Sequence, residues 1–206
     1  AVQAIGKIPV SSYLTDRVDF ATFSGHKFHA VRGVGFVYKK AGKKITPLLT
    51  GGGQEKDFRS TTENVAGIAS MAKALRLVTD KEEFSLPKIA KMKKMIFDEL
   101  VKYEDITIFS GEGEDFAPNI LTFGIKGVRG EVIVHAFEEH QIYISTTSAC
   151  SSKAGKPAGT LISMGVPTKL AQTAVRISLD DDNDMGQVEQ FLTIFKQVYA
   201  KTQKVR

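Results

Sequence analysis

The sequence predicts a protein of mixed strands and helices, in α/β or α+β layering. Three observations carry that expectation: short apolar runs of strand length, longer segments whose apolar residues recur three and four apart, and 42% apolar with 25% charged residues over 206 positions. That composition excludes a disordered chain. At a soft norm of about 150 residues per domain, the length suits one large domain, or one domain and a piece of another.

The first ten residues, AVQAIGKIPV, open on Ala1 and read as the end of a structured element, so a fragment is expected. Residues 18–23, VDFATF, alternate toward a strand, and residues 34–38, VGFVY, form a second one, with the polar turn SGHKFHAVRG between them. From Glu63 to Val78 the apolar residues Val65, Ile68, Ala72, Leu75 and Val78 mark a helix with one buried face, capped by Thr61 or Thr62. A second helix begins at Ser85 and Pro87 and carries Ile89, Met92, Ile96, Leu100 and Tyr103 on one stripe. Strand-like runs follow at Ile106–Phe109 and Ile120–Ile125, then a helical stretch from Gly130 to His140 and a strand at Ile142–Ser145.

Residues 145–160, STTSACSSKAGKPAGT, contain no large apolar side chain and cannot anchor themselves in a core, so a mobile loop is expected there. Val175–Leu179 reads as a strand. Met185–Tyr199 reads as a last helix with Val188, Phe191, Leu192, Phe195 and Val198 inward. The acidic run Asp180–Asp184 precedes that helix, where the macrodipole favours negative charge. No internal repeat is visible.

The single Cys150 excludes a disulfide framework and any multi-cysteine zinc site, and a cytoplasmic, reducing setting fits it. No apolar run approaches the roughly 18 residues of a membrane span. The net charge of +5 is spread over lysine clusters at 39–44, 88–94 and 196–206 that read as solvated faces, without the dense stripe or module that nucleic-acid binding requires.

Several residues carry candidate chemistry. Cys150 has two readings: a small buried hydrophobe, or a reactive thiol whose thiolate is favoured by exposure and by Lys153 and Lys156. Its neighbours Ser148, Ala149, Ser151 and Ser152 favour the second. Lys27 follows a strand and stands between two histidines, so it is either an amine tuned for Schiff-base chemistry or a surface loop lysine. His26 and His29 have no acidic or cysteine partner at ligand spacing, and His135 and His140 fall on different faces of a helix, so no metal is expected. Arg176, embedded in AVRISL, needs an anion there, supplied by Asp180 or by a substrate carboxylate. Gly51, Gly52 and Gly53 lack a following Lys-Ser/Thr and read as flexible backbone rather than a phosphate cradle.

At TFSGHKFHAVRGVGFVY, GGGQEKDFRSTTENV, and STTSACSS followed by AVRISL, the sequence resembles the cysteine desulfurases, pyridoxal-phosphate enzymes of the class V aminotransferase family. The resemblance runs over essentially the whole chain and corresponds to the C-terminal half of such an enzyme. It implies the pyridoxal-phosphate-dependent transferase type I fold, with residues 1–82 the remainder of the large cofactor domain and 83–206 the small C-terminal domain. It makes Lys27 the lysine that holds pyridoxal 5'-phosphate, Ser24 and His26 contacts to its phosphate, and Gln3 the partner of its phenolic oxygen. Thr62 matches the threonine that reaches the phosphate of the partner subunit in a homodimer, although Thr61 stands where the family usually has Gly. Arg176 matches the clamp on the substrate carboxylate, and Cys150 the nucleophile that accepts sulfur.

The implied activity is removal of sulfur from L-cysteine to give alanine and an enzyme persulfide, passed to a sulfur-acceptor protein of iron-sulfur cluster or thiolation pathways. Selenocysteine lyase or another class V enzyme is a rival, as is a non-catalytic half-protein acting as an interaction module. The family's stacking histidine and the aspartate on the pyridine nitrogen are expected upstream of Ala1. Where the family commonly continues with Gly, RISLDDDND implies a longer turn.

Overall fold

A computed structural model describes residues 1–113, 115–146 and 159–203 of the chain. The chain divides into two compact units, Ala1–Leu86 and Pro87–Arg206. Among the described residues, no helix is long and apolar enough to cross a membrane.

In the first unit, β1 (Phe20–Ser24) and β2 (Gly35–Lys39) form an antiparallel pair that registers Phe20 with Lys39, Phe23 with Phe36 and Ser24 with Gly35. Side chains alternate across a strand, so β1 sends Ala21 and Phe23 inward and leaves Phe20 and Thr22 exposed. Ile5, Phe28, Met71 and Ala74 complete this core. Gly35 is obligatory where the strands meet, because a Cβ there would collide with the carbonyl oxygen of Phe23.

The two helices expected at 63–78 and 85–103 are one, α1 (Val65–Leu100), which runs through Pro87. Proline removes one N–H, leaving the carbonyl of Glu83 without its helical donor. Glu83 is exposed, so water can serve that carbonyl, and the helix continues through the proline. The cap is also corrected: the Asn64 side-chain oxygen, not Thr61 or Thr62, accepts the N–H of Gly67 at 3.0 Å. A Cβ on Gly67 would meet the Asn64 side chain, so the cap and the glycine are matched.

The second unit is built on a four-stranded antiparallel sheet: β3 (Ile106–Ile108), β4 (Ile120–Ile125), β5 (Ser145–Thr146) and β6 (Ala174–Ser178), in spatial order β3-β4-β6-β5. α2 (Gly130–Glu138), α3 (Gly159–Ser163), α4 (Thr168–Ala171) and α5 (Met185–Gln203) complete it, together with the C-terminal turns of α1. Ile89, Met92, Ile96 and Leu100 of α1 are buried at the three- and four-residue spacing read from the sequence. They close on Leu121, Phe123 and Ile125 of β4 and on Val188, Phe191, Phe195 and Val198 of α5 in one cluster. Phe137 of α2 stacks on Phe191, with centroids 5.0 Å apart and planes 6° from parallel. Burying each such side chain is worth roughly 1.5–3 kcal/mol.

The strand expected at Ile142–Ser145 begins later: among the described residues Ser145 and Thr146 join the ladder, while Ile142 and Ile144 are partly buried against the core. Helices α3 and α4 were not expected. Leu161, Ala171 and Ala174 form a small separate cluster with Phe109 and Val166 that these two short helices serve.

Lys93 is a buried cation 5% exposed, and its ammonium donates to the carbonyls of Gly111 and Ala117 at 3.0 Å each. It thereby ties the β3–β4 connection to α1. Burial holds its pKa below the ordinary lysine value, opposed by nearby Glu112.

Candidate functional site

The turn after β1 is built by alternation. Phe23, Gly25 and Phe28 are buried, while Ser24 is half-buried and His26 and Lys27 are exposed on the 3-10 turn Gly25–Phe28. The N–H of Gly25 donates to the carbonyl of Val34 at 2.8 Å, and the N–H of Ala30 donates to the carbonyl of Gly25 at 3.0 Å. These bonds close the turn across the mouth of the hairpin. A Cβ on Gly25 would stand 3.0 Å from both the Ala30 Cβ and the Val34 oxygen, so the close packing there accepts only glycine comfortably. His29 ends the turn in the left-handed region at φ 70°.

The physical result is a short rigid segment whose polar residues, a hydroxyl, an imidazole and an amine, project from a floor of Phe23 and Phe28. A hydroxyl and an imidazole are donors suited to a phosphate, and an exposed primary amine is suited to an aldehyde. The donor set therefore fits a phosphorylated aldehyde cofactor.

Gln3 and Thr62 lie on separate segments of the same unit, both exposed. Gln3 belongs to the initial turns, where Ala4 and Ile5 are buried and the N–H groups of Lys7 and Ile8 donate to the carbonyl of Ala4 at 2.9 and 3.1 Å. Thr62 follows a backbone feature that the sequence did not signal. Glu55, Lys56 and Asp57 are consecutive left-handed residues at φ 51°, 54° and 65°, next to Gly51 and Gly53 at φ 149° and 81°. Each such non-glycine residue costs on the order of 1–3 kcal/mol, so backbone strain is concentrated at residues 55–57, just after the glycines.

In the same unit, Ile5, Tyr13, Leu14, Phe23 and Leu75 line an apolar groove of about 500 Å³ that also includes Arg76 and Glu82. Tyr13 has its pKa raised by burial and, next, by the charge of Glu82.

In the second unit, Arg176 occupies the middle of β6, opposite Thr122 of β4 and Ser145 of β5. Its Nε–H donates to Ser178 Oγ at 3.1 Å. Asp180, one of the two anions considered for it, makes no ion pair with Arg176. The link to Ser178 was missed in the sequence, although residues two apart on a strand share a face and AVRISL places Ser178 there. Cys150, with the rest of 147–158, lies outside the described residues.

The sequence matches the family model for class V aminotransferases over residues 1–191. It is 46% identical over 204 residues to a NifS/IcsS protein homolog of Lactobacillus delbrueckii subsp. bulgaricus, covering 99% of this chain and 53% of that protein. It is 33% identical over 202 residues to a cysteine desulfurase of Trichormus azollae, covering 98% and 50%. Among solved structures, a NifS-like protein superposes with a TM-score of 0.81 at 33% identity, covering 97% of this chain and 51% of that one. The chain thus spans about half the length of the relatives it matches.

Proposed function

The chain belongs to the class V aminotransferase family, and we propose that it is the C-terminal half of a pyridoxal-phosphate-dependent cysteine desulfurase. The observation that carries this reading is the turn at 25–28, where Lys27 and His26 are exposed beside Ser24 and between buried phenylalanines, in a chain 46% identical to a NifS/IcsS protein homolog and 33% identical to a cysteine desulfurase along nearly its whole length.

In this reading Lys27 anchors pyridoxal 5'-phosphate through its amine, Ser24 and His26 hold the phosphate, and Gln3 donates to the phenolic oxygen. When bound, the cofactor supplies an electron sink that makes the bonds at the substrate Cα labile. Lys27, freed by the incoming amino acid, moves the proton at Cα. Arg176 holds the α-carboxylate through parallel N–H bonds and so orients L-cysteine. The Cys150 thiolate bonds to the substrate sulfur as the bond from that sulfur to the β-carbon breaks, leaving a persulfide on Cys150. The electron pair stays with the carbon skeleton, which takes up protons and leaves as alanine.

The persulfide sulfur then passes to an acceptor protein of iron-sulfur cluster or thiolation pathways, in the cytoplasm. Thr62 completes the phosphate site of a second subunit, which makes the working form a homodimer.

The test is product analysis of the cofactor-loaded protein with L-cysteine. Equimolar alanine and sulfide in the presence of a reductant are expected, with both lost in Cys150→Ser while cofactor absorbance is retained. Sulfide release unchanged in Cys150→Ser would refute the assigned nucleophile. Turnover of selenocysteine without turnover of L-cysteine would instead make the protein a selenocysteine lyase. A chain that binds acceptor proteins but never the cofactor would be an interaction module.

A further inference from the structure

The face of the sheet around Arg176 differs from its reverse. Directly opposed residues of antiparallel strands project to the same side, as do residues two apart along one strand. Ser145, Arg176, Thr122 and Ser178 therefore share one face, while Leu121, Phe123, Val175 and Ile177 fill the other and form the core. On the polar face the Nε–H of Arg176 donates to Ser178 Oγ at 3.1 Å, the polar contact the guanidinium makes among the described residues. Thr122 beside it is 8% exposed, and its N–H is already committed to Ser110 Oγ at 2.9 Å.

An arginine side chain carries roughly 2 kcal/mol of rotamer entropy, which a clamp on a small anion must give up when the anion binds. Fixing one nitrogen in advance removes much of that cost. Because Nε is the nitrogen taken, the side-on fork is occupied, while both terminal nitrogens are without a partner among the described residues and can meet the two oxygens of a carboxylate end-on.

We propose that Ser178 is a positioning residue for substrate recognition: its hydroxyl holds the Arg176 guanidinium in a fixed plane so that the terminal nitrogens present a preformed site to the α-carboxylate of the amino-acid substrate. This rests on the reading of Arg176 as the carboxylate clamp. Ser178 itself does not touch substrate. It acts on affinity, through preorganisation, and not on the bond-breaking steps.

The experiment compares Ser178→Val with Ser178→Thr in the cofactor-loaded protein, two branched side chains of nearly equal shape that both suit a strand and differ by the hydroxyl. Ser178 is exposed, so both variants should fold, and circular dichroism checks this. Ser178→Val is expected to raise KM for L-cysteine about five- to fifteenfold with kcat within about twofold, and Ser178→Thr to restore it. The spectroscopic binding constant for cysteamine, which has the same thiol and amine without a carboxylate, should not move. In an Arg176→Lys background, which lacks Nε, Ser178→Val should add nothing.

Equal weakening of cysteine and cysteamine, or no change for cysteine in Ser178→Val, would overturn the proposal. Should Ser178→Val fail to fold, the same KM and cysteamine comparison made with Ser178→Ala decides it. If Arg176→Lys alone leaves the KM for L-cysteine unchanged, the clamp assignment fails, and the positioning role falls with it. An Arg176→Lys defect without any Ser178 effect refutes only the positioning role.

Discussion

Phe23 and Phe36 face each other across the β1–β2 ladder and stack, with ring centroids 4.5 Å apart and planes 18° from parallel. Phe28 meets the same ring edge-on at 6.4 Å. One aromatic ahead of the 3-10 turn, Phe23, and the last residue of the turn, Phe28, are thus fixed to a common partner, Phe36. Lys27 therefore inherits its position from the hairpin core rather than from contacts of its own side chain.

That separation of support from chemistry makes Lys27 a clean target. Lys27→Ala removes an exposed side chain from a backbone held by its neighbours, so the thermal midpoint of the cofactor-free protein should stay within about 1 °C. The visible absorbance of the bound cofactor should disappear. Retention of that band after Lys27→Ala would show that a different amine holds the aldehyde.

Gly35→Ala attacks the support instead. The new methyl would press on the Phe23 carbonyl, a backbone atom that cannot rotate away. A loss of about 1–3 kcal/mol is expected, read from denaturant unfolding of the first unit. Cofactor affinity should fall with it, because the displaced strand carries Ser24 into the turn.

Glu99 gives the second unit an acid-sensitive contact. Its carboxylate, 12% exposed, accepts from Lys102 Nζ at 2.6 Å and from Tyr103 Oη at 3.1 Å, with Lys196 Nζ at 3.4 Å. Hydrogen bonding from Lys102, ahead of Tyr103 and Lys196, holds its pKa below the ordinary 4.5 despite burial. The unfolded chain thus binds this proton more readily than the folded one. The contribution is complete above pH 4.5 and is lost as pH falls through the lowered folded value. Glu99→Gln should cost about 1–2 kcal/mol at pH 7 and flatten the stability curve across that acidic window. Urea titrations from pH 3 to 7 measure both.

The start of α5 is closed by a reciprocal cap. The N–H of Gln187 donates to Asp184 Oδ1 at 2.8 Å, and the N–H of Asp184 donates to Gln187 Oε1 at 3.3 Å. Asp184→Ala should cost about 1 kcal/mol, and Asp184→Asn much less, since an amide oxygen can accept the same bond. Equal losses for the two variants would assign the effect to charge at the helix terminus rather than to the hydrogen bond.

Local pattern determined most of what the sequence revealed. The strand at Ile120–Ile125 and the start of α5 at Met185 fall where periodicity put them, and Ile89, Met92, Ile96 and Leu100 are buried at the expected spacing. These features depend on residues within a few positions of one another, and each has a side-chain period that only one backbone geometry satisfies. The family was equally legible, because a resemblance in ordered, spaced residues needs no coordinates, and the class V match over residues 1–191 bears it out.

Tertiary structure decided the rest, for reasons that no window of sequence contains. Pro87 stands inside α1, where the sequence had placed a break, because helical residues on either side of it pack into cores of their own and the carbonyl it orphans is solvated. Ile142 and Ile144 serve the core without joining the ladder, which β5 enters only at Ser145. The polar row of Ser145, Arg176 and Thr122 exists only because β6 lies between β4 and β5, which brings together residues 31 and 54 positions apart in the chain. Strand pairing across such distances is set by the summed burial of whole elements, and so it becomes visible only when the chain has folded.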